Sequence, residues 1–150
     1  MNQSIPDLQE LVGQPLRSGF KVADCELYHL GFGDEVWFTS KLTGETIPTD
    51  QYVLHMLWEI AVFRKADREL ISLFECDTPP EEFAPFVEKM LGSTVKRAKI
   101  LPKHHYLLLD FGETIVILRT DEDGGESWRF FRGGDNSAHM VATCDGIEIE

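Results

Sequence analysis

LYHLGFGDEVWF at residues 27–38 and YLLLDFGETIVI at residues 106–117 decide how this chain is read. Each is an apolar stretch, a Phe-Gly pair, and a second apolar stretch. In isolation that pattern predicts two strands joined at a tight turn, with glycine where a positive φ is needed. Finding the pattern twice prompts a wider comparison. Residues 5–38 slide onto residues 84–117 without a gap: Pro6 meets Pro85, Gly13 meets Gly92, Leu30 meets Leu109, Phe32 meets Phe111 and Gly33 meets Gly112. Apolar character is kept between those identities, as in Leu8 with Val87, Leu11 with Met90, Leu16 with Val95 and Val36 with Ile115. Duplication accounts for the shared register; convergence on the same turn punctuation is the competing explanation.

Around this core the elements follow from local chemistry. Thr78 is placed to cap a helix whose first turn carries Pro79, Pro80, Glu81 and Glu82, since prolines lose nothing where amides are unpaired and acids suit the positive end of the dipole. Phe83, Phe86, Val87, Met90 and Leu91 recur at helical spacing, and Gly92 supplies the stop. In the first copy Ser4 or Asp7 caps a shorter helix ending at Gly13. Downstream, TGET at residues 43–46 and DEDGGE at 121–126 read as turns, the latter between strands 114–120 and 127–132, and a last hairpin turns at Asp145 and Gly146. Residues 58–63 and 69–74 are expected to form a hairpin, with a buried helix over residues 52–65 as the alternative, because short apolar runs do not declare their period. The expected fold is therefore α+β. Two pseudo-symmetric units (residues 5–75 and 84–150), each a helix followed by an antiparallel meander, would join through the linker 76–78 and pack about an approximate two-fold axis as one domain spanning residues 1–150.

Composition narrows the function. A chain of 150 residues with 43% hydrophobic residues can bury a substantial core without a covalent staple. Cys25, Cys76 and Cys144 are odd in number and far apart, which suggests neither a disulfide framework nor a zinc knuckle; buried thiols are the expectation. With no leader-like start and no long apolar run, a cytoplasmic location without membrane contact is expected. The net charge of −12 disfavours phosphate and nucleic acid, because the one basic stripe, Lys96, Arg97, Lys99 and Lys103, is outweighed by the field of the remainder. A basic protein partner fits better.

Reactive constellations are sparse. His104 and His105 point to opposite faces if they lie on a strand, so both cannot ligate one ion, and His139 with Cys144 has no signature spacing. A calcium loop starting at Asp121 would have Gly125 at its fifth position and Arg132 at its twelfth, where acidic ligands belong. His29, His55 and His139 are candidate bases without an adjacent nucleophile, and GFG lacks the further glycine of a dinucleotide loop. No catalytic residue, metal site or cofactor is expected. The remaining anomaly is the acidic stretch: Asp121, Glu122, Asp123 and Glu126 adjoin Trp128, Phe130 and Phe131, whereas the first copy is nearly neutral there. A divergent loop on a shared scaffold is where a binding surface is expected, so Asp121, Glu122, Asp123, Glu126 and Trp128 are the candidate partner-binding residues.

The stretch LVGQPLRSGF followed by LYHLGFG resembles a loose pattern in small acidic bacterial proteins, some of them immunity proteins of polymorphic toxin systems. That resemblance implies a cytoplasmic, non-enzymatic inhibitor docking on a basic toxin, often a nuclease, and occluding its functional surface. It carries no functional residues across. Two other classes remain open on sequence alone: a DNA-mimicking inhibitor, and a small enzyme or ligand-binding domain with a pocket between the halves near His29 and His105.

Overall fold

The computed structural model describes residues 5–23, 25–135 and 137–150. It is mostly β, with 47% of residues in strands and 10% helical. In order come one 3-10 turn (Leu8–Leu11), β1 (Leu16–Lys21), β2 (Tyr28–Thr39), β3 (Thr46–Met56), β4 (Ile60–Arg64), β5 (Leu70–Phe74), α1 (Pro80–Met90), β6 (Arg97–Ile100), β7 (Leu107–Asp110), β8 (Thr114–Leu118), β9 (Trp128–Arg132), β10 (Met140–Thr143) and β11 (Gly146–Ile149). These strands make a six-stranded sheet, β1-β2-β3-β9-β10-β11, and a five-stranded sheet, β5-β4-β8-β7-β6, with all named pairs antiparallel.

This corrects the expected α+β arrangement of two helix-plus-meander units. Neither half of the chain closes its own sheet. Strands β1–β3 from the first half pair through β3–β9 with β9–β11 from the second, and β6–β8 pair through β8–β4 with β4–β5 from the first. Turn signals specify only which strands are neighbours in sequence; the choice of the outer partner is made by burial of whole faces, which no local window contains. The stretch left ambiguous between helix and strand resolves as β3 and the β4–β5 hairpin. The acidic segment is not a hairpin turn, since β8 and β9 lie in different sheets and residues 119–127 cross between them. Pro15 and Thr94, which the slide equates, face each other in an isolated antiparallel bridge where the two halves meet.

One apolar core draws on both sheets: Tyr28, Leu30, Phe32, Leu54, Met56, Trp128 and Phe130 from the larger, Ile60, Val62, Leu107, Leu109, Val116 and Leu118 from the smaller. Tyr28, Leu30 and Phe32 of β2 and Val116 and Leu118 of β8 bury every second side chain, the period-two signature of such a face. Helix α1 closes the side between the edge strands β1 and β5. Its Phe83 meets Tyr28 edge-on at 4.8 Å and Phe74 at 5.0 Å. Its Val87 lies so close to β1 that a Cβ at Gly19 would come 2.8 Å from Val87 Cγ2, so glycine there permits the approach. Pro79, not Thr78, is the N-cap of α1. The Thr78 hydroxyl instead accepts the Glu75 amide, and its carbonyl, like that of Cys76, takes a hydrogen bond from buried Lys21. In the first half the helix shrinks to the single 3-10 turn, capped by Asp7 in a reciprocal box with Glu10; Ser4 lies outside the described residues.

The two Phe-Gly pairs do different work despite sharing positive φ, +85° at Gly33 and +100° at Gly112. Gly112 turns the β7–β8 hairpin, where the Phe111 amide donates to the Thr114 carbonyl and the Gly112 amide to Asp110. Gly33 is no turn. It sits in a bulge of the continuous strand β2, where the pairing with β3 jumps from Phe32↔Tyr52 to Glu35↔Asp50. The Gln51 side chain accepts the Asp34 amide and so satisfies the backbone that the bulge frees.

Candidate functional site

Titratable groups collect on the outer face of the six-stranded sheet. Adjacent strands place His29 of β2 opposite His55 of β3, and His55 opposite Arg129 of β9. His29 Nε2 lies 2.9 Å from Asp50 Oδ2, and its Nδ1 lies 3.1 Å from His55 Nε2. Asp50 is buried, 5% exposed, and also accepts hydrogen bonds from Ser18 Oγ at 2.8 Å and Arg17 at 2.5 Å. Arg17 reaches on to Glu35 at 2.8 Å. Room for the carboxylate is made by Gly31, where any Cβ would overlap Asp50.

The charge states follow from these contacts. Burial works to raise the Asp50 carboxyl, but hydrogen bonds from His29, Ser18 and Arg17 outweigh it and bring it down to about 2. Asp50 is therefore an anion that only accepts, which puts a proton on His29 Nε2. In neutral His29 the bare Nδ1 then takes the Nε2–H of His55. Burial, followed by the charges of His29 and Arg129, pushes His55 down to about 4. The row Asp50–His29–His55 thus has the form of a proton relay. It ends on a ring, because Phe131 stands edge-on to His55 at 5.0 Å, with no hydroxyl or thiol among the described hydrogen-bond partners of His55. Phe20 stacks on His29 at 4.6 Å and shields that side.

Beyond Phe131 the row continues to a groove. His139 stacks on Phe131 at 4.3 Å, and its Nδ1 accepts from Arg129 at 2.8 Å, so its proton sits on Nε2. Burial and the Arg129 charge lower its pKa. Arg129 is itself gripped by both oxygens of Glu126, at 3.0 and 2.7 Å. The groove, about 360 Å³, runs between Phe131, Gly133, Ser137 and His139 on one wall and Phe38, Ile47 and Thr49 on the other. That second wall belongs to a two-stranded ribbon. Past the Gly33 bulge, β2 and β3 pair only with each other, from Glu35↔Asp50 to Thr39↔Thr46, and project beyond the remaining strands.

The sequence-predicted residues fall elsewhere. Asp121, Glu122 and Asp123 lie on the crossover between sheets, Glu122 and Asp123 exposed, in a loop fixed by the Asp121 side chain accepting the Asp123 amide and by Ser127 accepting the Asp121 amide. Asp145 joins them from the β10–β11 turn, beside Cys144, whose thiol approaches the Glu122 carbonyl at 3.8 Å. Glu126 points instead to Arg129. Trp128 is fully buried, its indole N–H donating to the His105 carbonyl at 3.0 Å, so it offers no surface to a partner in this conformation. The most exposed aromatic among the described residues is Trp37, on the ribbon, at 61%, followed by Phe20 at 49%.

The chain matches no protein-family model, no curated protein and no solved structure.

Its chemistry must therefore be argued from its own side chains. Among the described residues no group of three His, Cys, Asp or Glu is arranged to hold a metal ion, and no helix is long and apolar enough to cross a membrane. The expected buried thiols are not found: Cys25 is exposed, and Cys76 and Cys144 are half-buried, all three free. His29 and His105, the pair expected to flank a pocket between the halves, face different partners. His105 Nδ1 lies 3.1 Å from the Cys144 carbonyl, at the acidic end, while His29 faces Asp50. Sequence reasoning named His29, His55 and His139 singly but missed Arg17, Ser18 and Asp50, which assemble only through strand register. It also missed Trp37, whose signal was present: a large ring between Val36 and Phe38 in a strand that must alternate faces.

Proposed function

We propose that this protein is a non-enzymatic, acidic binding protein of the immunity type, acting in the cytoplasm by covering the functional surface of a basic toxin. The observation that carries the reading is the net charge of −12, whose exposed members include Glu122, Asp123 and Asp145 clustered at one end. Those three carboxylates belong to none of the close ion pairs among the described residues, so their field is directed at solvent. An uncompensated field of this sign accelerates encounter with a cationic surface and does so less as salt rises, the screening length being about 8 Å near physiological ionic strength. The Asp–His–His row lends no support to a hydrolytic reading, since it ends on Phe131.

The test is neutralisation. The product of the gene adjoining this one, expressed alone, should be toxic and basic; co-expression of this protein should restore growth. The purified pair should form a stoichiometric complex whose association rate falls about tenfold or more between 50 and 500 mM salt. Growth that is not restored, or binding indifferent to salt, would remove the reading.

A further inference from the structure

The reading above needs an apolar anchor inside its electrostatic field, and Trp128 cannot supply one. Tight interfaces concentrate their energy in a few large side chains, tryptophan foremost, surrounded by groups that exclude water. On the described surface that combination occurs on the β2–β3 ribbon. Trp37 is 61% exposed, Ile47 50% and Leu42, at the tip, 97%. Trp37 and Ile47 lie on opposite faces of the ribbon, since the first pairs with Pro48 and the second with Phe38. The acids Asp34, Glu35 and Glu45 stand along the same segment against the single base Lys41.

The ribbon is also built as an element awaiting a partner. Two strands alone are marginally stable in water, and among the described residues neither outer edge is paired with a third strand past residue 35 of β2 and residue 50 of β3. Its inner face is not packed down; the groove of about 360 Å³ separates Phe38, Ile47 and Thr49 from Phe131 and His139. Close approach is made near its base, where a Cβ on Gly134 would come 2.9 Å from Val36 Cγ2 and one on Gly133 would come 3.2 Å from Thr49 Cγ2. An arm pinned at its base and open beneath, carrying Trp37, Leu42 and Ile47, leaves those large side chains in water without a covering element among the described residues. Natural edges are usually protected by charge or proline on both strands. Pro48 guards one edge, yet it does so beside the most exposed tryptophan.

We infer that the β2–β3 ribbon is the docking arm of this protein, with Trp37 as its anchor, and that its occupant is the cationic toxin of the preceding reading. Charge complementarity selects that occupant over a second copy, since two chains each carrying −12 repel, and Asp34 and Glu45 add acids to the arm itself. The acidic crossover at Asp121–Asp123 then steers, and the ribbon holds.

The inference rests on the neutralisation reading, and one experiment separates the two. Binding of wild type, Trp37→Ala and Glu122→Gln/Asp123→Asn to the purified product of the adjoining gene is measured by stopped-flow and calorimetry. Trp37→Ala should weaken affinity roughly 30-fold or more, mainly through faster dissociation, while the charge variant should slow association with little change in dissociation. Because Trp37 is largely solvent-exposed, the variant should unfold at the wild-type temperature, so lost binding reports the interface. If wild type binds and Trp37→Ala binds equally well, the docking arm is refuted and the function reading survives. If wild type does not bind, both fall. Sedimentation of the free protein completes the test: a dimer abolished by Trp37→Ala would make a second copy the occupant and overturn the choice of partner.

Discussion

Acidification offers a direct test of the histidine row. His55 sits half-buried with His29 of β2 on one side, Arg129 and Phe131 of β9 on the other, and His139 and Glu126 nearby. Only Glu126 favours its charged form, and that carboxylate is already committed to Arg129. The folded protein therefore prefers neutral His55, with a pKa of about 4 against 6.5 in the unfolded chain. As pH falls the unfolded chain takes up the proton first. Stability is therefore full above 6.5 and declines as pH drops toward 4. At ~1.4 kcal/mol per tenfold change in proton affinity, the whole difference is about 3 kcal/mol, of which about 2 kcal/mol is lost by pH 5. For a chain of this size that is a fall of about 4–8 °C in Tm. Asp50 does not blur the window, because its carboxyl exchanges protons only between its ordinary 3.8 and about 2. His139, also lowered, adds loss of the same sign. Urea unfolding from pH 8 to 4.5 should show the wild type losing about 2.5 kcal/mol more than His55→Phe, since the variant lacks the His55 share. Imidazole carbon shifts should place the His55 titration well below 6. Parallel stability curves, or a titration near 6.5, would refute the burial argument.

Two further substitutions probe the same frame. Gly31→Ala should displace the Asp50 carboxylate from Arg17, Ser18 and His29 together, costing about 3 kcal/mol in urea unfolding and raising the pKa of Asp50; a neutral outcome would mean that the carboxylate does not need the space. Lys21→Met should strip the Cys76 and Thr78 carbonyls of their donor ahead of α1, lowering stability by about 2 kcal/mol and opening the α1 amides to hydrogen exchange before those of the sheets.

Much of the local structure was legible and most of the long-range assembly was not. Helix α1 announced itself through Pro80, Glu81, Glu82 and the spacing of Phe83, Val87 and Met90. The β7–β8 hairpin and the terminal hairpin were equally plain from their turns, whereas the β4–β5 hairpin had a buried helix over residues 52–65 as its rival. Each of these is decided within a dozen residues. The exchange of strands between halves is not: β3 chooses β9 through Leu54↔Phe130 and Met56↔Trp128, contacts between residues far apart in the chain. Trp128 illustrates the cost. Beside four acids it reads as a surface anchor, and only the pairing that turns it into the common core shows otherwise. The same blindness hid Asp50, which in sequence is one more acid at the start of an apolar strand.

The register of β2 against β3 ties the candidate site to the candidate arm. At the tip the ladder runs Thr39↔Thr46, Phe38↔Ile47, Trp37↔Pro48. Continued unbroken toward the base, that register would set His29 opposite Met56 and leave His55 opposite Leu30. A shift of one residue turns a side chain to the opposite face of a strand, so the two histidines would part and a core methionine would meet a polar partner. The additional residue at Gly33 and Asp34 absorbs the mismatch, and below it His29 meets His55 while Leu30 meets Leu54. The same bulge bends β2 where β1 and β9 cease to pair with the ribbon's strands, releasing the segment that carries Trp37. Gln51 fixes the arrangement by taking the Asp34 amide, and a Cβ on Gly33 would come 2.6 Å from that same Gln51 oxygen. One glycine at positive φ thus sets both which groups face each other across the sheet and where the sheet ends and the arm begins.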